Sequence, residues 1–463
     1  MNNLIRLIIV IVFLSIISAC GGNSSDSTIN SSSSSLLVQN SPNAYSPSIA
    51  MMADGKAIAV WSEGTSSQSL WVNYYNPNTG WGAAQSVGSG TGNEGGAEIA
   101  VNASGSAALI WTRTINNTNE ILAANYDPSN GWSTASVLDA TGFGLNPTIA
   151  MDDDGNATAL WHRTDFVNHS YMNTIMTSRY TSTGWEVPQI LESTASTPMH
   201  SLSGNSAGKE IAIWNQAEPD LNQPGYHNYN TYVRIFTPGI GWSSSQTVGN
   251  AISELDGSGY YNPTTTPGHY YPMVSINEQG DALALWSEVD YAGNDYRITV
   301  NQFNMVNGWG APLSIGNISA SSSITVSPFV LDGSDTAYVS VLDSWYNYSY
   351  SLSNIHVAAY KSGTGWTFTK VLDSQPYYFS SPLITVGKSG NLYLTWKQYG
   401  NNSVELWSKK YSPLSGWENS IRLDKNSGTV TGYKAARDAL GNVLVIWTQN
   451  SGTDPGVWAK LIK

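Results

Sequence analysis

Apolar residues in this chain fall into short alternating runs rather than long helical stripes. "KAIAVWS" places Ala57, Ala59 and Trp61 on one face, the period-two pattern of a β-strand. Such runs come in groups of four. The first group reads "PSIAMM", "KAIAVW", "LWVNYY" and "WGAAQSV". Between runs, Asp-Gly, Ser-Gly or Asn-Gly supplies the positive φ of a tight hairpin. Each group predicts a small four-stranded antiparallel sheet with a period of about fifty residues.

Two anchors mark the repeat. A Gly stands six residues before a Trp at Gly55/Trp61, Gly105/Trp111, Gly155/Trp161, Gly208/Trp214, Gly280/Trp286, Gly390/Trp396 and Gly441/Trp447. In an eighth, degenerate copy Asp335 and Val341 hold these places. A Gly-Trp pair ends at Trp81, Trp132, Trp185, Trp242, Trp309, Trp366 and Trp417. An aromatic usually stands six residues before it, as at Tyr75, Tyr126, Phe236, Phe303, Tyr360 and Tyr411. A Trp at one fixed point of every unit reads as a packing residue between sheets. One such sheet cannot bury both its faces alone, whereas radial stacking buries both. Eight units therefore predict an all-β, eight-bladed β-propeller of four-stranded antiparallel blades over residues 33–463. The eighth unit lacks a Gly-Trp strand, and an orphan strand, "SSLLVQN" (Ser34–Asn40), precedes the first. That strand is expected to complete the C-terminal blade; a two-plus-two closure is the alternative frame.

At the level of Gly-turn, strand and Trp, the repeat resembles bacterial β-propellers of the sialidase and kelch types. The likeness is architectural. The sialidase Asp-box, Ser-x-Asp-x-Gly-x-x-Trp, is not matched by "AMDDDGNATALW", where Trp161 lies too far along. Arg113, Arg163, Arg179, Arg234, Arg297, Arg422 and Arg437 sit in no distinctive motif. Sialidase activity is not carried over.

The segment "MNNLIRLIIVIVFLSIISAC" has a short start carrying Arg6, an apolar run and small residues before Cys20, the plan of a secretory signal. Its end resembles the lipobox of bacterial lipoproteins. The resemblance implies a signal peptide over residues 1–19 and a diacylated Cys20 as the mature N-terminus. Gly21 in place of Asp implies the outer membrane, with a periplasmic or surface-facing domain. The Ser-rich stretch 20–32 reads as a flexible tether. With no second cysteine, no disulfide forms within the chain.

Charge narrows the partners. Lys and Arg number 20 against 33 Asp and Glu, a net −13. Nucleic-acid binding needs clustered positive charge, and so does docking on anionic lipid. Membrane contact is therefore expected through the anchor alone, and a monomer is expected. No phosphate loop or dinucleotide fingerprint is present, and no cofactor is expected. "DDDG" (Asp152–Gly155) lacks the ligand spacing of a calcium loop, and the histidines lack that of a zinc site. No metal is expected.

With strands one to four numbered from the inside out, the one-to-two and three-to-four turns are short. The two-to-three and inter-blade connections share the other face and vary. They include "AEPDLNQPGYHNYNTY", "AISELDGSGYYNPTTTPGHYY", "SEVDYAGNDY", "DSWYNYSYSLSN" and "DSQPYYFSSP". His162, His169, His200, His227 and His269 fall on this side too. Aromatic rings with polar tips bury area at low entropic cost, so the candidate ligand-binding residues are Tyr226, His227, Tyr229, Tyr260, Tyr261, His269, Tyr270, Tyr291, Trp345, Tyr346 and Tyr348. A second set stands two residues past the repeated Trp: Glu63, Arg113, Arg163, Gln216, Glu288, Asp343, Gln398 and Gln449. It is the candidate rim of the central opening. The expected function is a binding module for a carbohydrate polymer or for a protein partner at the envelope. Competing classes are a carbohydrate-active enzyme with acidic residues in the cavity, and an assembly scaffold. No catalytic residue is assigned, because paired carboxylates converge only in space.

Overall fold

Each sequence unit folds as one antiparallel sheet, and the eight sheets form a ring. The computed structural model describes residues 36–462, apart from 66, 89, 168–169, 195–197, 220–226, 251–269, 291–294, 320–322, 333–335, 348–349, 362–363, 373–377, 401–402, 425–427 and 451–454. Blade 1 shows the plan. Its first three strands are Ala44–Met51, Ala57–Glu63 and Ser69–Asn76, and its outer strand is split into Gly80–Trp81 and Gln85–Ser86. In blade 6 the outer strand is continuous, Gly365–Leu372, and the first strand is split instead, into Ser323–Val326 and Val330–Leu331.

Blade 8 takes its first three strands from Val430–Arg437, Val443–Gln449 and Gly456–Ile462. Its fourth is Leu36–Gln39. Leu36 pairs with Ala459 and Leu37 with Trp458. The orphan strand thus closes the ring in the three-plus-one frame. Val38 is buried with Ala44, Ile49 and Trp61 of blade 1 and Leu444, Ile446 and Val457 of blade 8. The carbonyl of Val38 also accepts a hydrogen bond from Nδ2 of Asn73, at 3.0 Å.

The repeated tryptophans are the keystones of this packing. Trp61, Trp111, Trp161, Trp214, Trp286, Trp396 and Trp447 are all fully buried. Each lies against the preceding blade: Trp111 meets Ile58, Val60 and Leu70, and Trp447 meets Tyr393 and Leu406. In blade 6 Val341 packs there against Leu283 and Leu285, helped by Phe329. The Gly-Trp series sits half-buried on the outer strands. Each ring rests on the aromatic of the third strand, with centroids 5.3 Å apart for Tyr75/Trp81 and 5.0 Å for Tyr360/Trp366.

A second repeat explains the short turns. Asn102, Asp152, Asn205, Asn277, Asp332 and Asp438 each accept, through Oδ1, the backbone N–H four residues on. This Asx bond pins the one-to-two hairpin, and in five of the six turns the repeat Gly inside it adopts φ between 77° and 89°. "DDDG" is one of these turns. In it Asp152 is buried and bound by Arg179 at 3.1 Å, while Asp153 and Asp154 are exposed to solvent.

The long two-to-three connections differ from expectation. Much of their length is strand rather than loop. Blade 3 pairs Ala157–Val167 with Ser170–Thr181, blade 4 Glu210–Pro219 with His227–Thr237, and blade 6 Ala337–Asn347 with Tyr350–Lys361. Against the blade 1 hairpin, Ala57–Glu63 with Ser69–Asn76, these form tall ribbons on one face.

Candidate functional site: the axial cavity

The first strands carry the feature that shapes the site. Fourteen residues before the repeated Trp stands Pro47, Pro147, Pro272 or Pro382; Ala97, His200 and Tyr433 hold the same place in blades 2, 4 and 8. A proline has no N–H for the ladder, so in a sheet it belongs at an edge or a bulge. The pairing register does slip here, between Tyr45 and Ser48, Gly95 and Glu98, Leu145 and Thr148, and Ser380 and Leu383. The residue before the proline position turns left-handed: Ser46 at φ 49°, Gly96 at 63°, Asn146 at 51° and Ser381 at 50°. Such backbone in a non-glycine residue costs on the order of 1–3 kcal/mol. All four are exposed. The bulges therefore push backbone into the central opening.

First strands of five blades, bulged in blades 1, 2, 3 and 8 and regular in blade 4, line an open cavity of about 570 Å³ on the ring axis. Ser46 and Pro47 line it from blade 1, Gly96, Ala97 and Glu98 from blade 2, and Asn146 and Pro147 from blade 3. His200 closes it from blade 4, and Gly432, Tyr433 and Lys434 from blade 8. It lies at the start of the first strands, which is the face bearing the tall hairpins: Phe143 pairs with Thr164, and Tyr378 with Tyr399.

Polar groups inside are tied to one another. Glu98 reaches Lys434 Nζ at 3.0 Å and accepts from Ser48 Oγ at 3.3 Å. That bridge runs from blade 2 to blade 8 across blade 1. His200 Nε2–H donates to the Asn146 carbonyl at 2.8 Å. Burial pushes the His200 imidazole down to about 4, with nearby His162 adding to the effect, so it is neutral near pH 7. His162, fully buried, binds Asn173 Oδ1 through Nε2 at 3.0 Å. The Tyr433 phenol rests on the carbonyls of Ser381 and Thr395, and burial raises it well above the ordinary phenol range.

Around the cavity, two cross-strand aromatic pairs stand on the same face. Phe166 and Tyr171 of the blade 3 hairpin have centroids 5.1 Å apart and are 64% and 73% exposed. Tyr378 and Tyr399 of blade 7 lie 5.3 Å apart. In an eight-bladed ring these two blades are diametrically opposed.

The residues singled out from sequence are placed as follows. Tyr226, Tyr260, Tyr261, His269, Tyr291 and Tyr348 lie outside the described residues. His227, Tyr229, Tyr270, Trp345 and Tyr346 lie on strands whose backbone is described and whose side chains are not. The second set is on the second strands, one strand out from the axis, and the described members do not line the cavity. Glu63 accepts from the Trp61 indole at 3.3 Å. Arg113 pairs with Glu120, and Arg163 with Asp165 at 2.9 Å. Asp343 holds His356 at 3.2 Å, Gln398 and Gln449 are buried, and Gln216 is half-buried. The Glu288 side chain lies outside the described residues. Rim position was inferred from strand face alone, and the bulged first strands occupy the rim instead. Glu98, His200, Tyr433 and Lys434 were not recognised together from sequence; the proline period was the signal that could have located them.

Among the described residues no three His, Cys, Asp or Glu side chains converge as metal ligands. Elsewhere, buried charges clasp neighbouring blades. Arg179 binds Glu210 at 2.9 Å and stacks over Phe236, and burial pushes the Glu210 carboxyl up to about 7 against the pull of Arg179.

Fold and site together define an eight-bladed β-propeller with an axial cavity of mixed polar and apolar lining. No family model and no curated relative matches the sequence. Among solved structures it is similar to a polysaccharide lyase of family PL25, an ulvan lyase bound to -[GlcA(1-4)Rha3S]-, at 9% identity and TM-score 0.48, covering 78% of this chain and 93% of that one. The β-propeller domain of the Trilobed protease from Pyrococcus furiosus matches at 9% and 0.43, over 83% and 98%. An α-L-arabinanase from Penicillium chrysogenum, complexed with arabinobiose, matches at 10% and 0.38, over 73% and 98%. At these values no residue role is transferred.

Proposed function

We propose that this protein is a lipid-anchored, glycan-binding propeller whose ligand enters the axial cavity from the hairpin face. The observation that carries the reading is the cavity itself. It is concave, carries a few placed polar groups on an otherwise largely apolar lining, as binding sites commonly do, and is built by the rigid frame. Among the described residues lining it, Glu98 is the one carboxylate, and it is engaged by Lys434. Glycoside hydrolysis ordinarily uses two carboxyl groups flanking the bond, so this lining favours binding over hydrolysis. The exposed rings of Phe166, Tyr171 and Tyr399 add flat surfaces suited to the apolar faces of sugars.

Anchoring through Cys20 at the outer membrane rests on the lipobox resemblance. The test is a glycan array probed with residues 33–463, followed by product analysis of every sugar that binds. Retention of intact sugar supports the binding module. Release of shorter or unsaturated products would move the protein to the enzyme class.

A further inference from the structure

Two of the four left-handed bulges around the axis are capped by a side chain of the next blade. In blade 3 the carbonyl of the left-handed residue, Asn146, accepts from His200, which holds the proline position of blade 4. In blade 7 the carbonyl of Ser381 accepts from Tyr433, which holds that position in blade 8. Each cap thus comes from the next blade around the ring. Blades 1 and 2 share the left-handed turn at Ser46 and Gly96. Their next-blade positions hold Ala97 and Pro147, whose side chains carry no donor. The two bulges whose next-blade position carries no side-chain donor are adjacent, and both line the cavity.

A backbone carbonyl facing a cavity seeks a hydrogen-bond donor. Ser46 and Gly96 line the cavity beside Lys434 and Glu98, whose charges cancel at 3.0 Å. We propose that the carbonyls of Ser46 and Gly96 are the recognition groups of the cavity, and that its ligand is an uncharged, hydroxyl-rich sugar of a neutral polysaccharide. This rests on the glycan-binding reading and narrows it. Sugar hydroxyls donate to the two carbonyls, and Lys434 and Glu98 serve a third and a fourth hydroxyl as donor and acceptor. A uronate or a sulfate ester offers acceptors where the site presents acceptors, and it is repelled. Ala97 and Pro147 are then specificity-determining because they leave the carbonyls bare.

The experiment installs the caps that the ring already uses. A97H would place an imidazole beside Ser46, as His200 lies beside Asn146, and P147H would do the same beside Gly96. Binding of cellohexaose, laminarihexaose, arabinohexaose and a hexagalacturonate is measured by calorimetry on the full propeller, with the melting temperature of each variant checked first. The expected result is that at least one neutral hexaose binds and the hexagalacturonate does not. Each folded variant should then lose about tenfold or more in affinity, the equivalent of one good hydrogen bond. Two variants are used because Ala97 packs in the core between blades 1 and 2 and its replacement could disturb the fold. If a neutral hexaose binds and both folded variants bind it unchanged, the carbonyl assignment is overturned while glycan binding stands. Tighter binding of the hexagalacturonate overturns the neutral class. If no sugar of either kind binds the parent, both readings fall.

Discussion

Removing residues 33–40 takes the fourth strand from blade 8 and leaves the chain otherwise intact. The ladder hydrogen bonds lost with Leu36–Gln39 are worth about 1 kcal/mol each, roughly offset by the backbone entropy of the four residues they order. What remains is packing. Burial of Val38, 5% exposed, contributes about 1.5–3 kcal/mol. Asn73, fully buried, loses one of its two Nδ2 acceptors and keeps the carbonyl of Gly82. An orphaned donor of this kind costs about 1–3 kcal/mol. The sum is about 2.5–6 kcal/mol. A domain of about 430 residues has an unfolding entropy near 0.9 kcal/mol/K, so Tm should fall by about 3–7 °C. Scanning calorimetry measures the shift, and hydrogen exchange locates it. Amides of Gly456–Ile462 should lose protection while those of blade 3 keep theirs. An unchanged Tm with unchanged exchange at Gly456–Ile462 would refute the closure argument, since it would mean that the outer strand contributes nothing to blade 8.

Other consequences are as direct. His200 has a folded value of about 4 against about 6.5 unfolded; the unfolded chain therefore binds the proton more readily, and stability falls as pH drops from 6.5 toward 4. By pH 4.5 the loss should be on the order of 2 kcal/mol, and urea melts of H200Q, which cannot titrate, should show a correspondingly flatter pH dependence than the parent. Gly249 lies under the indole of Trp286, which a Cβ there would overlap, so G249A should destabilise by about 1–3 kcal/mol; an unaltered urea midpoint would show that the ring can move aside. C20S should give a soluble or unprocessed protein on membrane fractionation, and a signal-cleaved C20S protein that still sediments wholly with membranes would end the lipoprotein reading.

The frame was legible because it is written in local chemistry. A Gly at positive φ and a buried Trp are needed in each blade, and both recur at fixed offsets, so blade count, strand order and the closing strand could all be read. The tall hairpins were harder. "DSWYNYSYSLSN" contains neither Gly nor Pro and alternates polar and aromatic residues, which is strand chemistry; its many polar residues nevertheless read as loop. Pro47 was visible at the head of "PSIAMM", but its meaning as a bulge depends on the partner strand, which a single run does not display. The cavity was out of reach for a further reason. Its lining comes from five blades, and Glu98 and Lys434, 336 positions apart, meet because the ring closes.

Closure has a kinetic side. Every blade but the eighth pairs strands that are neighbours in sequence, whereas Leu36 and Ala459 are 423 positions apart (459 − 36). Bringing such ends together costs about 3 kcal/mol more loop entropy than closing a ten-residue hairpin, and contacts so distant in sequence slow folding. Individual blades should form and stack first, leaving an open arc that waits for its last join. The arc presents two adhesive ends: the face of blade 1 that carries Trp61, and the unpaired edge of Gly456–Ile462. Two arcs meeting end to end satisfy both as well as one arc closing on itself, and such unpaired edges are what aggregation uses. Refolding yield should therefore fall with protein concentration, at a step that exists only because the ring is sealed by a strand from the far end of the chain.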